Sequence, residues 1–477
     1  MKQHLNYTML CDFYELTMGN GYFQTGLGEQ ICYFDVFFRN VPDGGGFAIA
    51  AGLEQVIEYI QNLRFDEEDI AYLRGKGGFS EEFLDYLRHF KFTGDIWAVP
   101  EGTPIFPREP ILTVRATAIQ AQFVETFILL TINHQTLIAT KSNRIVRAAQ
   151  GRPVMEFCTR RAQGASAAID GARASYIAGC AGTACTIADR DFHVPALGTM
   201  AHSWVQTFDT EYEAFREYTR IYPDNAVLLI DTYNVLKSGL PNAIKVFKEL
   251  KPKKMGVRID SGDIAYLTKK CRKILDENGL EECSIVISNS LDEYLIRDVI
   301  MEGAQIDSFG VGERLITSKS EPVFGGVYKL AAVERNGEMV PKMKISENVK
   351  KITNPGFKHV YRLYEKESNK AIADVITMEG ETIPEQDGYE IFDPNAIWKK
   401  KTLKNFYVRS LLVQLFDKGE CVYESPSLDE IRQYCKDQIE TLWEETLRFE
   451  NPQTYYVDLS KKLWSIKQDI LHRYTAL

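Results

Sequence analysis

The chain carries a repeated pattern of short apolar runs that each end in polar residues or glycine. Seven such runs lie between residues 153 and 333, and helical patterns separate most of them: PVMEF, PAL, AVLLI, MGVRI, SIVI, SFGVGE and VFGGVYKLAAV. Continuous apolar strands that alternate with helices are typical of a parallel sheet covered on both faces. In such sheets the carboxyl ends of the strands carry the ligand site. The pattern therefore predicts an α/β domain with a site along one edge of its sheet.

Three zones follow from the changes in pattern along the chain. Residues 1–149 contain a helix, strands of a separate antiparallel sheet interrupted by prolines, and a long helical stretch. Residues 150–335 hold the strand–helix repeats, and residues 336–477 change to a basic, strand-rich segment followed by helices. A complete eight-unit barrel needs ~250 residues, so the roughly 185 present predict an irregular barrel of six or seven units. An open doubly wound sheet is the alternative.

Composition and charge exclude several classes of partner. The chain of 477 residues has 56 Lys and Arg against 66 Asp and Glu, a net charge of −10, which argues against binding to nucleic acid or to a membrane surface. Nine cysteines without a CxxC pair are typical of a reducing compartment. No apolar run approaches the ~20 residues of a membrane span, and the first residues lack a signal-peptide core. We expect a soluble, cytoplasmic protein.

The predicted strand ends supply chemistry suited to an anionic ligand. Arginine binds carboxylates and phosphates through two parallel hydrogen bonds, although Arg258 also has Asp231 and Asp260 as candidate ion-pair partners. These two aspartates could bind Mg²⁺, directly or through water, or sugar hydroxyls, whereas Asp263 is expected to cap a helix. His202 lies just past a strand end, where a packed or capping role is the alternative to catalysis.

Glycines follow the last two apolar runs. Gly310 and Gly312 accompany one run, and Gly325 and Gly326 accompany the next. Glycine lets backbone N–H groups approach a phosphate without a Cβ in the way, and ordinary turns are the alternative. No Walker phosphate-binding loop is present.

Ten segments give the chain a resemblance to a known family. They occur in the order DFYELTM, EFCTRRAQG, GTMAHSWV, LLIDTYN, KSGLPNA, VRIDSGD, SNSLDE, FGVGERL, GGVYKLAAV and KISE…NPGFKHVYR. With them the chain resembles the nicotinate phosphoribosyltransferases over nearly its whole length. The resemblance implies an α/β fold, an irregular (β/α) barrel with an accessory α+β domain built from the N- and C-terminal segments. It also implies a homodimer whose active sites are shared between subunits.

The resemblance further implies the reaction. Nicotinate and 5-phosphoribosyl 1-pyrophosphate (PRPP) would give nicotinate mononucleotide and pyrophosphate, with ATP as co-substrate and Mg²⁺ as cofactor, in NAD salvage. His202 would be the histidine that ATP phosphorylates, and Tyr14 would stack on the pyridine ring of the partner's site. Arg258 and Asp260 would act at the reacting centre with His202, and Asp231 and Asp260 would hold Mg²⁺. The remaining substrate-binding residues implied are Arg160, Arg161, Thr199, Ser203, Asp231, Ser288, Asn289, Gly310, Gly312, Gly325, Gly326 and Lys329.

Three positions qualify the resemblance. Cys158 stands where the family commonly has glycine, and Asn234 where it commonly has aspartate. Nicotinamide-using relatives carry an aspartate near the position of Met200, and methionine there favours the acid as substrate.

Other functions fit parts of the same pattern. A nicotinamide or quinolinate phosphoribosyltransferase would need no ATP, and quinolinate, with two carboxylates, would need more cationic groups. A barrel lyase acting on sugar phosphates would need a Schiff-base lysine at a strand end, for which Lys329 is the nearest candidate. An inactive binding protein would not need His202 and Asp260 together with the glycines.

Overall fold

Helices and strands occur along the whole of the computed structural model, which describes residues 6–348 and 351–475. No helix within these ranges combines the length and apolar character that a bilayer crossing requires. The helices are α1 Phe13–Gln24, α2 Leu53–Asn62, α3 Glu67–Lys76, α4 Glu81–Arg88, α5 Ala118–Phe123, α6 Glu125–Ala148, α7 Ala165–Ile177, α8 Thr186–Phe192, α9 His202–Thr207, α10 Glu211–Ile221, α11 Leu240–Leu250, α12 Ile264–Glu277, α13 Glu293–Met301, α14 Glu313–Ile316, α15 Leu428–Glu440, α16 Glu444–Leu447 and α17 Lys461–Thr475.

Within the described residues, the strands form two large sheets and three smaller ones. They are β1 Ile31–Phe37, β2 Ala48–Ile49, β3 Asp95–Ala98, β4 Pro104–Ile105, β5 Leu112–Thr117, β6 Val154–Glu156, β7 Gly182–Thr183, β8 Ala226–Leu229, β9 Met255–Ile259, β10 Ser284–Ser288, β11 Ser308–Val311, β12 Val327–Arg335, β13 Glu338–Pro341, β14 Lys358–Glu365, β15 Ala371–Met378, β16 Tyr389–Phe392, β17 Lys400–Leu403, β18 Phe406–Ser410, β19 Val413–Asp417, β20 Glu420–Cys421 and β21 Tyr456–Leu459.

The chain divides into two compact units. Unit 1 combines the residues up to Leu137 with those from Val323 onward, and unit 2 is the continuous stretch Ile138–Pro322. Both borders of unit 2 come earlier in the chain than the predicted domain borders after residues 149 and 335, which remain predictions.

Unit 2 is built on a parallel sheet of six strands in the order β7, β6, β11, β10, β9, β8. Its strands are short and apolar, and Val257, Ile287 and Phe309 at their centres are fully buried. Such burial on both faces is what continuous apolar runs indicate. The predicted α/β class is therefore confirmed.

The parallel sheet curls because its last strand in the chain pairs with its first. After β8, β9 and β10, strand β11 returns to β6, with Phe309 opposite Val154 and Val311 opposite Glu156. Beyond β7 the ring is extended by one bridge between Thr183 and Ala196. In residues 138–322, all of which the structure describes, no strand pairing joins the Ala196 segment to β8. The fold is thus an irregular barrel with one unpaired seam, as predicted, although the run PAL forms only this bridge.

One predicted barrel strand belongs elsewhere. The run after Gly326 forms β12, which pairs antiparallel with β1 and β13 in the seven-stranded sheet of unit 1, in the order β13, β12, β1, β5, β3, β19, β20. The polar side chains of β12 explain this placement. Glu334 accepts hydrogen bonds from the hydroxyl of Tyr33 (2.7 Å) and from Nη2 of Arg115 (2.8 Å), which lie on β1 and β5. A strand inside a parallel barrel would leave such groups without partners.

The four-stranded sheet of unit 1, in the order β18, β14, β15, β21, contains a buried ion pair. The guanidinium group of Arg362 is fully buried and binds both carboxylate oxygens of Asp374, at 2.8 and 2.6 Å. The hydroxyl of Tyr455 donates to the same carboxylate at 2.8 Å. Removing one partner of such a pair leaves an uncompensated buried charge. The register of β14 against β15 places Arg362 opposite Asp374 and so brings the two charges together.

The carboxyl group of Glu15 is buried where α1 meets the start of α6. Its Oε1 accepts hydrogen bonds from the N–H (3.1 Å) and the hydroxyl (2.6 Å) of Thr126, and its Oε2 has no partner in the described part of the chain. Burial raises the pKa of Glu15 from 4.5 to about 8; the charges of Glu125 and Asp12 add to the rise, and the bonds from Thr126 oppose it. Glu15 is therefore protonated at neutral pH.

Glu15 should make the stability of the protein depend on pH. A carboxyl group whose pKa is raised on folding stabilises the folded state fully below the unfolded pKa, and this stabilisation is lost as the pH rises towards the folded pKa. We expect Glu15→Gln to remove a decline of at most about 1.4 kcal/mol per pH unit in the free energy of unfolding between roughly pH 5 and pH 8. Urea unfolding of the wild type and the variant, at one protein concentration across that range, measures the difference.

The matched control is Glu82→Gln, which removes an exposed carboxylate from the first turn of α4. Its pH profile should run parallel to that of the wild type. A Glu15→Gln profile that also runs parallel to the wild type would contradict the assignment of a proton to Glu15.

Candidate active site

The predicted polar residues of unit 2 gather at the carboxyl edge of the curled parallel sheet. Because the strands are parallel, all of their carboxyl ends meet at this edge. The residues found there are Arg160 and Arg161 in the turn after β6, Thr199 and His202–Ser203 after the Ala196 bridge, Asp231 after β8, Arg258 and Asp260 at the end of β9, Ser288 and Asn289 at the end of β10, and Gly310 and Gly312 at the end of β11. The sheet thus places together residues that span nearly a third of the chain.

Asp231 connects the ends of two neighbouring strands. Its side chain is 1% exposed, and its Oδ2 accepts hydrogen bonds from the N–H of Asp260 (3.0 Å) and the hydroxyl of Ser261 (2.6 Å). Its Oδ1 is buried and has no hydrogen-bond partner among the described residues. One carboxylate oxygen therefore fixes the loop after β9, and the other is available to a ligand.

His202 lies at the start of α9 with its two ring nitrogens in different surroundings. Nδ1 is 3.1 Å from the hydroxyl oxygen of Thr232. Nε2 is 3.9 Å from Oδ1 of Asp231 and 4.0 Å from Oδ2 of Asp260. With 40% of its side chain exposed, the imidazole combines solvent access with two nearby carboxylates, which are features of a reactive rather than a packed histidine.

Arg258 projects from β9 with an unsatisfied donor. Its Nη1 donates to the hydroxyl of Thr199, whereas its Nε is buried and lacks a partner within residues 6–348 and 351–475. Burial lowers the pKa of Arg258, the charge of Arg160 adds to this effect, and Asp260 and Asp231 oppose it. A buried N–H without an acceptor costs about 1–3 kcal/mol. An anion that meets Nε would remove this cost.

The loop after β9 also holds the end of β10. The hydroxyl of Ser288 donates to Oδ1 of Asp260, so Asp260 is fixed from two sides. Asn289 is exposed, and its side-chain oxygen accepts from the N–H of Ser290 at 2.7 Å. Asp263, as predicted, caps α12 by accepting from the N–H of Tyr266 at 2.7 Å.

Two buried residues hold the turn that carries Arg160 and Arg161. Glu156 accepts hydrogen bonds from the N–H of Cys158 (2.9 Å) and from the hydroxyl of Thr183. The thiol of Cys158 lies 3.1 Å from the carbonyl oxygens of both Val311 and Gly312. Burial raises the pKa of Glu156. The sequence showed Cys158 only as a departure from a family pattern, and these contacts explain what its side chain does.

Packing explains only one of the two glycines at the end of β11. A Cβ on Gly310 would lie 2.6 Å from the ring of Phe157, so a larger residue would displace this ring. At Gly312 a Cβ would meet only the carbonyl oxygen of Phe157, at an ordinary 3.4 Å. Packing alone thus requires glycine at 310 and leaves the glycine at 312 unexplained.

Four further predicted residues lie in unit 1. Tyr14 is on α1 and is 43% exposed, and burial followed by the charge and hydrogen bond of Glu125 raises its pKa. Gly325 adopts a left-handed conformation (φ 73°) before β12. The N–H of Gly326 is already bonded to Oδ1 of Asn133 (3.0 Å), and the ammonium group of Lys329 donates to the carbonyl of Tyr328 (2.7 Å).

Sequence reasoning missed Thr232 and Ser261. Each follows an aspartate at a strand end, and each contributes a hydroxyl group to the network around His202 and Asp231. Their position in the tips Asp231-Thr232-Tyr233 and Asp260-Ser261-Gly262 was the available signal.

Three family profiles match the chain. They describe the nicotinate phosphoribosyltransferase N-terminal domain over residues 9–133, the nicotinate phosphoribosyltransferase family over residues 153–372, and the nicotinate phosphoribosyltransferase C-terminal domain over residues 357–467.

Individual proteins match over almost the full length. A nicotinate phosphoribosyltransferase of Bacillus subtilis is 42% identical over 463 residues, which cover 97% of this chain and 94% of that relative. The nicotinate phosphoribosyltransferase pncB2 of Mycobacterium tuberculosis is 38% identical over 480 residues, covering 100% of this chain and 96% of the relative. The crystal structure of human nicotinic acid phosphoribosyltransferase superposes with a TM-score of 0.85 at 27% identity, covering 97% of this chain and 100% of that chain.

Proposed function

The chain belongs to the nicotinate phosphoribosyltransferase family, and we propose that it joins nicotinate to PRPP, forming nicotinate mononucleotide and pyrophosphate, with coupled hydrolysis of ATP through a phosphohistidine. One observation carries the assignment to this site. Three buried polar atoms that have no hydrogen-bond partner among the described residues belong to strand ends at this edge of the sheet, namely Nε of Arg258, Oδ1 of Asp231 and Oγ1 of Thr159. Such groups are costly unless a ligand satisfies them. A donor and a carboxylate together suit a ligand that carries both an anion and hydroxyl groups.

Different arginines would bind the different anionic groups of the substrates. Arg258 offers a buried N–H without an acceptor, and this suits the one carboxylate of nicotinate. Arg160 and Arg161 are exposed and adjacent, which suits the larger and more highly charged pyrophosphate. The pyridine nitrogen of nicotinate would then attack C1 of the ribose, and the C1–oxygen bond would break with its electron pair leaving on pyrophosphate.

The polar residues around these arginines would orient the substrates. Asp260 and Asp231 would accept hydrogen bonds from ribose hydroxyls, and Thr199, Ser203, Ser288 and Asn289 would contribute side-chain hydrogen bonds. Gly310 and Gly312 would offer backbone N–H groups to phosphate. In unit 1, Gly325 would offer its own N–H to a phosphate. The N–H of Gly326 is engaged by Asn133, so Gly326 would shape the turn, and Lys329 would act through its charge.

The carboxylates also fit Mg²⁺. Among the residues that the structure describes, no group of three or more His, Cys, Asp or Glu side chains is arranged to hold a metal ion. Mg²⁺ commonly keeps several waters and is held by one or two carboxylates together with substrate phosphates. The unsatisfied Oδ1 of Asp231 and the exposed Oδ2 of Asp260 meet this need, and the ion would neutralise phosphate charge.

A shared active site would explain the surface of α1. Phe13, Tyr14 and Met18 are 52%, 43% and 37% exposed, so this helix leaves three large apolar side chains open to solvent. Exposed apolar patches mark interaction surfaces. In a homodimer, the ring of Tyr14 would cover the pyridine in the partner's site. We also propose a cytoplasmic location, which nine cysteines without a disulfide support.

ATP would act through His202. Transfer from PRPP needs no ATP for its own chemistry because pyrophosphate is already a leaving group, so ATP must act through an intermediate. Imidazole takes up a phosphoryl group reversibly near neutral pH. A bond would form between a ring nitrogen and the γ-phosphorus, the bond from phosphorus to the bridging oxygen would break, and ADP would leave with the electron pair. Water would later release the phosphate. The added charge would lie beside Asp231 and Asp260 and could recruit Mg²⁺.

The alternative functions lack support at this edge. A Schiff-base lyase needs a lysine at a strand end, and none follows β6, β7, β8, β9, β10 or β11 within three residues. Lys329, the former candidate, belongs to the antiparallel sheet of unit 1. The relatives are nicotinate phosphoribosyltransferases, which favours nicotinate over quinolinate as the substrate.

Arg258 should decide the choice of substrate. We expect the wild type to prefer nicotinate over nicotinamide by ~10⁴-fold in kcat/KM, because a neutral amide leaves the buried guanidinium unmatched. Arg258→Ala should lose most of this preference, because its kcat/KM for nicotinate falls. Steady-state kinetics with both substrates give the ratio, and Arg272→Ala, which removes an arginine from the middle of α12, is the control. Equal use of the two substrates by the wild type would refute the assignment.

Tyr14 should act across a dimer interface. We expect Tyr14→Ala and Arg258→Ala to be inactive alone and to recover up to about a quarter of the wild-type activity when mixed in equal amounts, because half of the dimers would then be mixed and each would hold one intact site. Activity is measured after verified subunit exchange. Each variant mixed with the wild type controls for dilution. A lack of recovery in exchanged dimers would count against a shared site.

His202 should be the residue that ATP labels. We expect ³²P from γ-labelled ATP to appear as an acid-labile, base-stable adduct in the wild type and to be absent in His202→Ala. In the variant, any remaining transfer should not respond to ATP. His193→Ala is the control, since His193 ends α8 rather than lying beside the two carboxylates. Undiminished label in His202→Ala would show that the phosphate goes elsewhere.

A further inference from the structure

Two adjacent glycines, Gly325 and Gly326, lie directly before β12 in unit 1 and are called the diglycine segment below. Gly325 is exposed and has a left-handed backbone (φ 73°), which glycine adopts without strain. A Cβ at this position would meet nothing within 4 Å in the described part of the chain. The structure gives the N–H of Gly325 no acceptor within residues 6–348 and 351–475. The backbone at Gly325 therefore offers a donor beside open space, which suits a phosphate oxygen.

Packing anchors the chain on both sides of the diglycine segment. The ring of Phe324 is buried, and its centroid lies 4.7 Å from that of Phe38. The side chain of Tyr328 is also buried, and its hydroxyl donates to the carbonyl of Ala121. Between these anchors, two glycines in a row have more backbone freedom than any other pair of residues. The direction of the Gly325 N–H therefore depends on a further restraint.

Asn133, on α6, supplies this restraint. Its Oδ1 accepts a hydrogen bond from the N–H of Gly326 at 3.0 Å, and its Nδ2 lies 3.5 Å from the carbonyl oxygen of the same glycine. One side-chain amide thus contacts both polar backbone groups of Gly326. A Cβ on Gly326 would overlap Oδ1 of Asn133. Glycine at 326 therefore makes room for this amide, whereas glycine at 325 serves the left-handed backbone.

We propose that Asn133 is a positioning residue for PRPP, which holds the diglycine segment in the shape that presents the N–H of Gly325 to a phosphate group. The inference rests on the proposed function. Asn133 fixes the peptide plane between Gly325 and Gly326, and the packing of Phe324 fixes the residue before them. Gly325 is then held in its left-handed conformation before the ligand arrives. Binding does not have to order two glycines, and a lower ordering cost gives a tighter complex.

Substitution of Asn133 should weaken the binding of PRPP without slowing the chemical step. We expect Asn133→Ala to raise the KM for PRPP about fivefold, as the loss of one hydrogen bond implies, and to leave kcat and the KM for nicotinate near their wild-type values. Steady-state kinetics with one substrate varied and the other saturating give these constants, and calorimetric titration with PRPP gives its Kd. The control is Asn62→Ala, which removes an amide that donates to Glu58 within α2.

Gly326→Ala tests the same contact from the opposite side. Its Cβ would displace the amide of Asn133, so we expect a similar rise in the KM for PRPP. In the double variant Asn133→Ala/Gly326→Ala the Cβ would enter the space that the amide has left, so the effect should be no larger than that of either single variant. Effects that multiply in the double variant would overturn the inference. Asn133→Ser replaces Asn133→Ala in both proteins if the latter does not fold.

Product inhibition shows which phosphate of PRPP meets Gly325. In Asn133→Ala, a raised inhibition constant for nicotinate mononucleotide would assign Gly325 to the 5′-phosphate, and a raised constant for pyrophosphate would assign it to the other end of PRPP. A rise in neither constant would overturn the inference.

The outcomes separate the inference from the proposed function. If the wild type forms no nicotinate mononucleotide from nicotinate and PRPP, the proposed function fails. If the wild type is active and a folded Asn133→Ala has an unchanged KM for PRPP, the function stands and the role of Asn133 fails. A fall in kcat with both KM values unchanged would reduce Asn133 to a structural residue, because it would mean fewer active molecules with an intact PRPP site.

Discussion

The pairing of β11 with β6 is the constraint on which the candidate site depends. Without it the parallel sheet would separate into the pair β7 and β6 and the row β11, β10, β9 and β8. With it, Val311 lies opposite Glu156, and the turn that carries Arg160 and Arg161 comes beside Gly312. The thiol of Cys158 and the ring of Phe157 then occupy the space between these two strand ends. The register between β11 and β6 thereby determines which side chains lie close enough to act on one ligand.

Two buried carboxylates each connect the ends of neighbouring strands, at different points of the ring. Glu156 joins the ends of β6 and β7 through Cys158 and Thr183, and Asp231 joins the ends of β8 and β9 through Asp260 and Ser261. Each carboxylate accepts a backbone N–H and a hydroxyl, which offsets the cost of burying its charge. They differ in what remains: both oxygens of Glu156 are used, whereas Asp231 keeps one oxygen free. The first is therefore structural, and the second is also able to meet a ligand.

The sequence predicted the features that depend on local pattern. Apolar runs with polar tips gave the irregular barrel and the edge that holds His202 and Asp231, and the order of the motifs gave the family. Features that depend on distant partners were missed or wrong. Arg115 and Glu334, whose ion pair places β12 in the antiparallel sheet, are 219 positions apart in the chain. The bond between Glu156 and Thr183 likewise follows from the register of β6 and β7, which no local pattern shows.

The unpaired seam is the place in the barrel where backbone hydrogen bonds do not join neighbouring segments. From β7 through β6, β11, β10 and β9 to β8, a strand can shift only by breaking backbone hydrogen bonds to its neighbours. Across the seam the structure gives side-chain hydrogen bonds, from Arg258 to Thr199 and between Thr232 and His202. The first has a charged donor and is worth about 1.5–3 kcal/mol, and the second about 1 kcal/mol. The segment around His202 is therefore joined to the ends of β8 and β9 by side chains and not by a backbone ladder, and a change of charge on that imidazole would act directly on these bonds.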